Sequence, residues 1–405
     1  MRFKMRRYIQ AAYFCFLAIQ AHLFAQDVPL EVELPTLSEE AEISLITVGP
    51  GQAIHSIFGH CALRVHDPKL GINAVYSYSA VITSKKRFFL ESSTENRNGI
   101  YSRSTYDRYI EQHTLLGQEV RECILNLEQR QKQAFSDRLL NAYFREARFY
   151  PYHPFSKNCA TLQLDLIISI IGEALFFEKG LYEKTDLSFF EHIQPYFPRH
   201  PWTAIGTNLA LGIRTHRGLT YRERAFLPQL LEESLQNAFI QTPRGEEPLI
   251  TEQRVVIEEN PVSKTPLTPK PIWPLLAILG LTIYFTFNEA ITGRYASQFD
   301  QLLMGSVSIL GIVLVYTSIY IAHDYSALNL HLAWASPLHI LALLLPAGLK
   351  RITRIYYRIY TFAFGLISAV FFFAIPDLFE QLWPLLLALL IRSTRIHSRS
   401  MTSGA

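Results

Sequence analysis

Two residues stand out for the chemistry their types and settings permit. Cys159 ends the aromatic, proline-bearing run Tyr150-Pro-Tyr-His-Pro-Phe-Ser-Lys-Asn158, and the apolar stretch Ala160 to Ile171 follows it. A thiol at such a loop-to-helix junction meets the positive end of the helix. That end favours the thiolate, and a nearby imidazolium lowers the thiol pKa further. Ser156 or Asn158 is the expected N-cap. His60 opens the alternating run His60-Cys-Ala-Leu-Arg-Val-His66. A base on a strand facing a nucleophile on a helix is a working pair if a third polar group orients the imidazole. Tyr76 or Tyr78 is the expected third group. Spacing alone does not separate this reading from two structural residues.

The elements needed to position the pair are legible. Ile43–Val48 is a β-rich run that ends in Gly49-Pro50-Gly51, a turn signal. Gln52 to Phe58 has room for two helical turns. His60 to His66 pairs with Ala74-Val-Tyr-Ser-Tyr78 across the turn Asp67-Pro-Lys-Leu-Gly71. Glu119–Leu127 is a further strand, and 128–146 has helical apolar spacing through Phe135, Leu139, Leu140 and Tyr143. His66, His113, His153 and His216 fall in turn or loop contexts and are expected to be solvated. Cys61 and Cys123 are read as separate buried thiols, with a disulfide between them as the alternative.

Composition sets where this happens. The 405 residues are 49% hydrophobic and only 18% charged, against about 25% charged for soluble domains. Basic and acidic residues nearly cancel, 38 against 35, which leaves no basic field for nucleic acid. Residues 1–25 carry a basic start, an apolar run and a small residue before Gln26, the pattern of a signal peptide or anchor. An exported domain over 26–258 and a proline-rich linker over 259–271 follow. Five apolar segments, at 272–288, 302–322, 330–348, 359–375 and 378–392, then make a transmembrane bundle, and 393–405 form a basic tail. Lys350, Arg351, Arg354 and Arg358, and then Arg392, Arg395 and Arg399, fall on the cytoplasmic side if the 26–258 domain is outside. No metal or cofactor motif occurs, and none is expected.

Gly49-Pro-Gly51, Phe58-Gly-His60, Leu63-Arg64 and Tyr76-Ser-Tyr78 resemble the opening of the Lnb N-terminal periplasmic domain family of Bacteroidota. Tyr150-Pro-Tyr152 with Asn158-Cys-Ala-Thr161 resembles its second block. Pro201-Trp202, Phe226-Leu-Pro228 and Pro248-Leu-Ile250 resemble a third. His323 and Asn329-Leu-His-Leu-Ala-Trp334 with Pro337 resemble the motif between its membrane segments. Cys61 departs from the small hydroxyl residue expected after the histidine, and Ser79 from an expected glycine.

The resemblance implies an α+β, permuted papain-like domain of the NlpC/LRAT kind on an all-α bundle of about five helices. It implies an inner-membrane lipoprotein N-acyltransferase, which moves an acyl chain from phospholipid to the N-terminal amine of a diacylated lipoprotein. Cys159 is then the nucleophile and His60 the base, with Tyr78 and Asn158 completing the catalytic set. Backbone N–H groups at the start of the 159–171 helix are expected to hold the oxyanion. Asn329, His323 and Arg64 are the expected substrate contacts. An NlpC-type envelope hydrolase and a non-catalytic adaptor are the alternatives.

Overall fold

The structure is a computed structural model and describes residues 34–80, 98–144, 148–258, 269–320, 325, 328–345, 350–374 and 376–402. The expected signal segment, most of the linker, His323 and Asp324 lie outside the described residues.

A wholly antiparallel seven-stranded sheet organises the N-terminal part. Its strands are β1 (Glu42–Val48), β2 (His60–Asp67), β3 (Ile72–Ala80), β4 (Asn98–Thr105), β5 (Val120–Leu125), β6 (Phe149–Pro151) and β7 (Ile250–Ile257), in the order β7-β5-β1-β2-β3-β4-β6. β1 lies inside the sheet and is buried from Ile43 to Val48, so its run of apolar residues faces cover on both sides. Helix α1 (Tyr106–Leu115) covers one face through Tyr106, Tyr109 and Ile110. Helices α2 (Gln129–Phe144) and α3 (Cys159–Ile171) follow, and α3 donates Gln163 Nε2 to the Tyr76 carbonyl of β3 at 3.4 Å. Where two helical turns were expected over 52–58, the chain makes one 3-10 turn, Ile54–Ser56. Gly51 N–H bonds to Ser56 O at 2.8 Å and Gly59 N–H to the same carbonyl at 3.0 Å, closing the loop before a second turn can form.

Helices α4 (Pro201–Ala210) and α5 (Pro228–Gln236) belong to the return path to β7. The C-terminal region is helical: α6 (Ile272–Thr292), α7 (Ser297–Tyr320), α8 (Leu338–Leu344), α9 (Lys350–Ala374) and α10 (Pro376–Thr402). Among the described residues two helices are long and apolar enough to cross a membrane, Ile272–Thr292 and Ser297–Ile319. The stretch expected as a third span, 330–348, is not one helix. It holds a 3-10 turn, Leu330–Ala333, and then α8, which stops at Leu345 in extended conformation because Pro346 follows.

Two sets of contacts fix the ends of the bundle. At one end Arg392 of α10 is buried between the start of α7 and the end of α6. It donates from Nε to Asp300 Oδ1 (2.5 Å), from Nη2 to Glu289 Oε1 (2.6 Å) and from Nη1 to Thr286 Oγ1 (3.0 Å). Arg392, expected among the cytoplasmic charges that follow the fifth apolar segment, is therefore an internal ion-pair residue. At the other end the N-terminal domain docks. Asn208 of α4 donates to Gln381 Oε1 of α10 at 2.9 Å, and Asn329 donates to Leu209 O at 2.7 Å.

Candidate active site

Cys159 is the first residue of α3, and Asn158 is its cap. Asn158 Oδ1 accepts from Ala160 N–H and Thr161 N–H, both at 3.0 Å, while Thr161 Oγ1 accepts from Asn158 N–H at 2.9 Å. The Asn158 Nδ2 group donates to Pro154 O and Phe226 O, both at 2.7 Å. Every polar group of this side chain is thus engaged in holding the helix start. The cap also takes up two of the first-turn amides expected for the oxyanion, and Leu162 N–H goes to Asn158 O. The Cys159 N–H is the first-turn donor that the cap leaves over.

The turn ahead of the cysteine is pinned from within. His153 Nδ1 accepts from Phe155 N–H (3.3 Å) and Ser156 N–H (3.2 Å), and His153 and Lys157 exchange backbone bonds at 3.0 Å. His153 is therefore a turn-organising residue, not the solvated one its loop context implied.

His60 starts β2 directly after Gly59. Gly59 has φ +73°, and a Cβ there would stand 2.3 Å from Val48 O, so only glycine fits this corner. The placement brings the imidazole to Cys159. Burial alone would push the imidazole down, but the charge of Cys159 and a hydrogen bond to it outweigh burial and raise it. The Cys159 thiol moves the opposite way. A hydrogen bond from the Cys61 thiol is the largest cause, burial opposes it, and the charge and hydrogen bond of His60 and the Cys61 N–H add to the lowering. Burial keeps Cys61 itself well above the ordinary thiol range. The two opposed shifts favour a thiolate–imidazolium pair, with the Cys61 thiol as a neutral donor to it. His60 and Cys159 are both half-buried, so the pair is reachable from outside.

Cys61 and Cys123 are free. They sit on β2 and β5, which flank β1 on opposite sides, opposite Thr47 and Leu45. Two strand spacings, about 9.5 Å, exceed the roughly 7 Å that a disulfide spans between Cα atoms. Cys123 instead donates to Glu232 Oε1 at 3.8 Å, and burial is the main cause that pushes it up to about 12.

The remaining expected residues are placed as follows. Arg64 lies on the α1 face, three residues from Cys61 and so on the other side of the strand. It is bound to Glu122 Oε1 (2.8 Å) and Asn73 Oδ1 (2.8 Å), with its guanidinium 3.7 Å from the Tyr106 ring centre. Its guanidinium is thus engaged in a buried ion pair within the domain. Tyr76 accepts from Arg103 Nε at 3.2 Å. Tyr78 packs on Tyr101 (4.7 Å between ring centres) and edge-on to Tyr150 (5.6 Å). Asn329 caps the 330–333 turn, accepting from His331 N–H at 2.9 Å, and its amide is bound to Leu209 O. The amide nitrogen is thus engaged in docking and the oxygen in the cap.

A second histidine stands near His60. His113, expected to be solvated, is buried on α1 one turn after Tyr109, with ring centres 4.6 Å apart. Its Nδ1–H donates to Gln118 Oε1 at 3.0 Å, and Gln118 Nε2 donates to Gly49 O at 3.0 Å. Burial, and also the charge of His60, hold its pKa down. The i, i+4 spacing of Tyr109 and His113 was the available signal.

A single apolar cluster ties both arms of the site to the bundle. Ile57 and Phe58 precede His60, and Phe155 precedes Cys159. All three pack with Phe189, Phe197, Phe226 and Tyr325. Tyr325, from the segment between α7 and α8, lies 4.7 Å from Phe155, 5.1 Å from Phe189 and 5.2 Å from His153 between ring centres, and its carbonyl accepts from Gly212 N–H at 2.7 Å.

Residues 37–182, which include the sheet from β1 to β6 and the Cys159 helix, match the Lnb N-terminal periplasmic domain. Residues 262–403 match the Lnb transmembrane domain. The chain belongs to the Lnb family. As in that family, a periplasmic part precedes a transmembrane part, so this Lnb chain is a membrane protein. No curated protein and no solved structure matches it significantly. The Lnb periplasmic match contains both His60 and Cys159, and the Lnb transmembrane match contains the Asn329 and Gln381 contacts to the domain.

Proposed function

We propose that this Lnb chain is a cysteine-dependent lipoprotein N-acyltransferase of the bacterial inner membrane, with Cys159 as nucleophile and His60 as base in a permuted papain-like domain. The observation that carries the reading is the placement of Cys159 at the start of α3 beside His60, flanked by an apolar cluster shared with the membrane region through Tyr325. A soluble substrate would not call for that shared cluster. A phospholipid ester and a lipid-modified amine both lie at the membrane surface.

The Cys159 sulfur attacks the ester carbonyl of a phospholipid, and the C=O electron pair moves to oxygen. Collapse restores the carbonyl and breaks the C–O bond, and the departing glycerol oxygen takes a proton from the His60 imidazolium. The products are a lysophospholipid and an acyl-thioester. The neutral α-amine of a diacylated lipoprotein then attacks the thioester. His60 accepts the amine proton and the Cys159 thiolate leaves, which restores the pair. Two moderate steps replace one ester aminolysis. His113 is near enough to His60 for the two charges to interact, and Gln118 fixes the His113 ring.

Five membrane crossings fit the two ends of the bundle. The 292–297 turn and Arg392 share one end, Asn329 and Gln381 the other. The Lys350–Arg358 cluster then lies at the end away from the domain, as the positive-inside rule requires. On this reading 1–25 is the export segment, 26–258 the catalytic domain, 259–271 the linker and 393–405 the cytoplasmic tail.

The test uses phospholipid labelled in its acyl chains. The full chain should acquire a hydroxylamine-sensitive label on Cys159, and addition of a diacylated lipoprotein should transfer it to the acceptor's N-terminus, read by mass spectrometry. Release of free fatty acid with no transfer would mark a hydrolase. Label surviving Cys159→Ala would end the assignment.

A further inference from the structure

Residues 201–213 carry no charged side chain, although they lie ahead of the first membrane span. Neither family match includes them. Their helix, α4, is fastened at both ends to the same end of the transmembrane bundle. At its start Trp202 Nε1 donates to Pro269 O at 2.8 Å, just before α6 begins. At its far end Leu209 O accepts from Asn329, and Asn208 donates to Gln381 near the start of α10. A helix tied in this way lies across the bundle end, in the plane of the membrane and not along its normal. Ile205 and Leu209, one turn apart, pack on the bundle core.

The rest of its surface is apolar and open. Trp202 is 51% exposed, and Ile213, just beyond the helix, is 42% exposed. Beside Ile213 stands Leu328, whose carbonyl accepts from Ile213 N–H at 3.4 Å. Leu328 is 72% exposed and has φ +55°, left-handed backbone that a bulky side chain seldom adopts. A leucine held strained and exposed gains nothing from water. Trp273, on the first turn of α6, is 64% exposed. Single exposed apolar residues are ordinary. These share the level at which two spans end, the start of α6 and the end of α7. Exposed Arg199 and Arg214 bracket the uncharged run. A short apolar segment with tryptophan and flanking cations fits the bilayer interface, where phospholipid phosphates attract the arginines.

We propose that Pro201–Ala210, with Ile213 and Leu328, is an interfacial foot that immerses the exported domain in the phospholipid leaflet on its own side. Acyl chains cover Trp202 and Leu328, and head-group phosphates lie against Arg199 and Arg214. The chain then holds the bilayer through two kinds of contact, its spans and this foot. The foot reaches the site: Leu211 packs on the same apolar cluster as Phe58 and Phe155, which precede His60 and Cys159. It sets the height of the Cys159 corner above the bilayer and adds no reacting group, so the proposal needs no acyl-transfer step.

The experiment reads tryptophan emission of the full-length protein in phospholipid nanodiscs. With Trp273→Phe and Trp383→Phe in place, the remaining tryptophans are Trp202 and the buried Trp334. A further Trp202→Phe isolates the Trp202 signal by difference. Phospholipid brominated on its acyl chains should quench that signal, more strongly with bromines near the head group than with bromines at the chain end. Iodide in the water should quench it less than it quenches free tryptophan. Leu328→Asp, which puts a carboxylate at acyl-chain depth, should reduce the bromolipid quenching of Trp202. Full iodide quenching with none from bromolipid would put α4 in water and overturn the proposal. Quenching by neither would assign Trp202 to a protein contact and overturn it as well. So would stronger quenching from the chain end, which contradicts a shallow, in-plane helix. Unchanged quenching in Leu328→Asp would strike Leu328 from the foot. The readout does not depend on activity. If phospholipid leaves no label on Cys159, the acyl-transfer reading fails and quenching still decides on the foot.

Discussion

His339 in the bundle and His60 in the periplasmic domain are both held against apolar surroundings, with opposite outcomes. The His339 ring is fully used: Nε2 lies 3.4 Å from Trp334 O, Nδ1 lies 2.9 Å from the Tyr356 hydroxyl, and Tyr357 and Tyr360 pack on it. Arg392 is saturated in the same way by Asp300, Glu289 and Thr286. At the domain corner the partners are of another kind. His60 faces a half-buried thiol at the start of α3, where the cap leaves the Cys159 N–H over. Low dielectric makes polar groups expensive in both regions. The bundle meets that cost with internal partners, and the corner leaves valences that a substrate can fill. A polar residue in apolar surroundings is thus a weak sign of chemistry until its partners are known.

The sharpest test of this contrast is removal of the corner pair. His60→Ala should lower acylation of Cys159 by about 10²–10⁴-fold, the range for loss of a positioned general base, with the thermal transition retained. His339→Phe should leave the acylation rate of folded protein within a few fold. A large rate loss in His339→Phe with unchanged folding would break the distinction.

Arg392→Met should next separate stability from chemistry. Leaving Asp300 and Glu289 buried without their cation is expected to destabilise by about 3–5 kcal/mol, seen as a lower unfolding midpoint in detergent. The rate per folded molecule should be preserved.

The pH dependence sharpens the corner itself. Because the folded Cys159 thiol lies below its ordinary range, alkylation should reach its plateau at a pH below that of a free thiol. Cys61→Ala and His60→Ala each remove a lowering cause, so both should move the alkylation edge to higher pH. Cys61→Ser, which keeps a donor in place, should move it much less. An edge unchanged in Cys61→Ala would remove Cys61 from the site.

The smallest effect is expected at Asn329. Asn329→Ala loses a cap worth about 0.5–2 kcal/mol and one hydrogen bond to Leu209. It should lower the unfolding midpoint modestly and the acylation rate by less than tenfold. A hundredfold loss in rate at equal stability would restore Asn329 as a substrate contact.

The sequence by itself determined the strands around His60 and the helix that begins at Cys159, with its cap narrowed to Ser156 or Asn158, because these follow from local alternation, turn chemistry and capping. It also determined the membrane character of the C-terminal half, through the length of apolar runs. The fates of Arg64, Arg392, Asn329 and His113 were decided only in three dimensions. Each is a polar side chain whose surroundings come from distant sequence: Glu122 for Arg64, Asp300 and Glu289 for Arg392, Leu209 for Asn329, and, for His113, Gly49 through Gln118. The same holds for Tyr150, whose ring rests on a glycine 51 positions away across a sheet edge. Local pattern sets which face a residue takes within its own element. Whether a polar group there is satisfied depends on what the fold packs against that face, and a single chain segment carries no record of it.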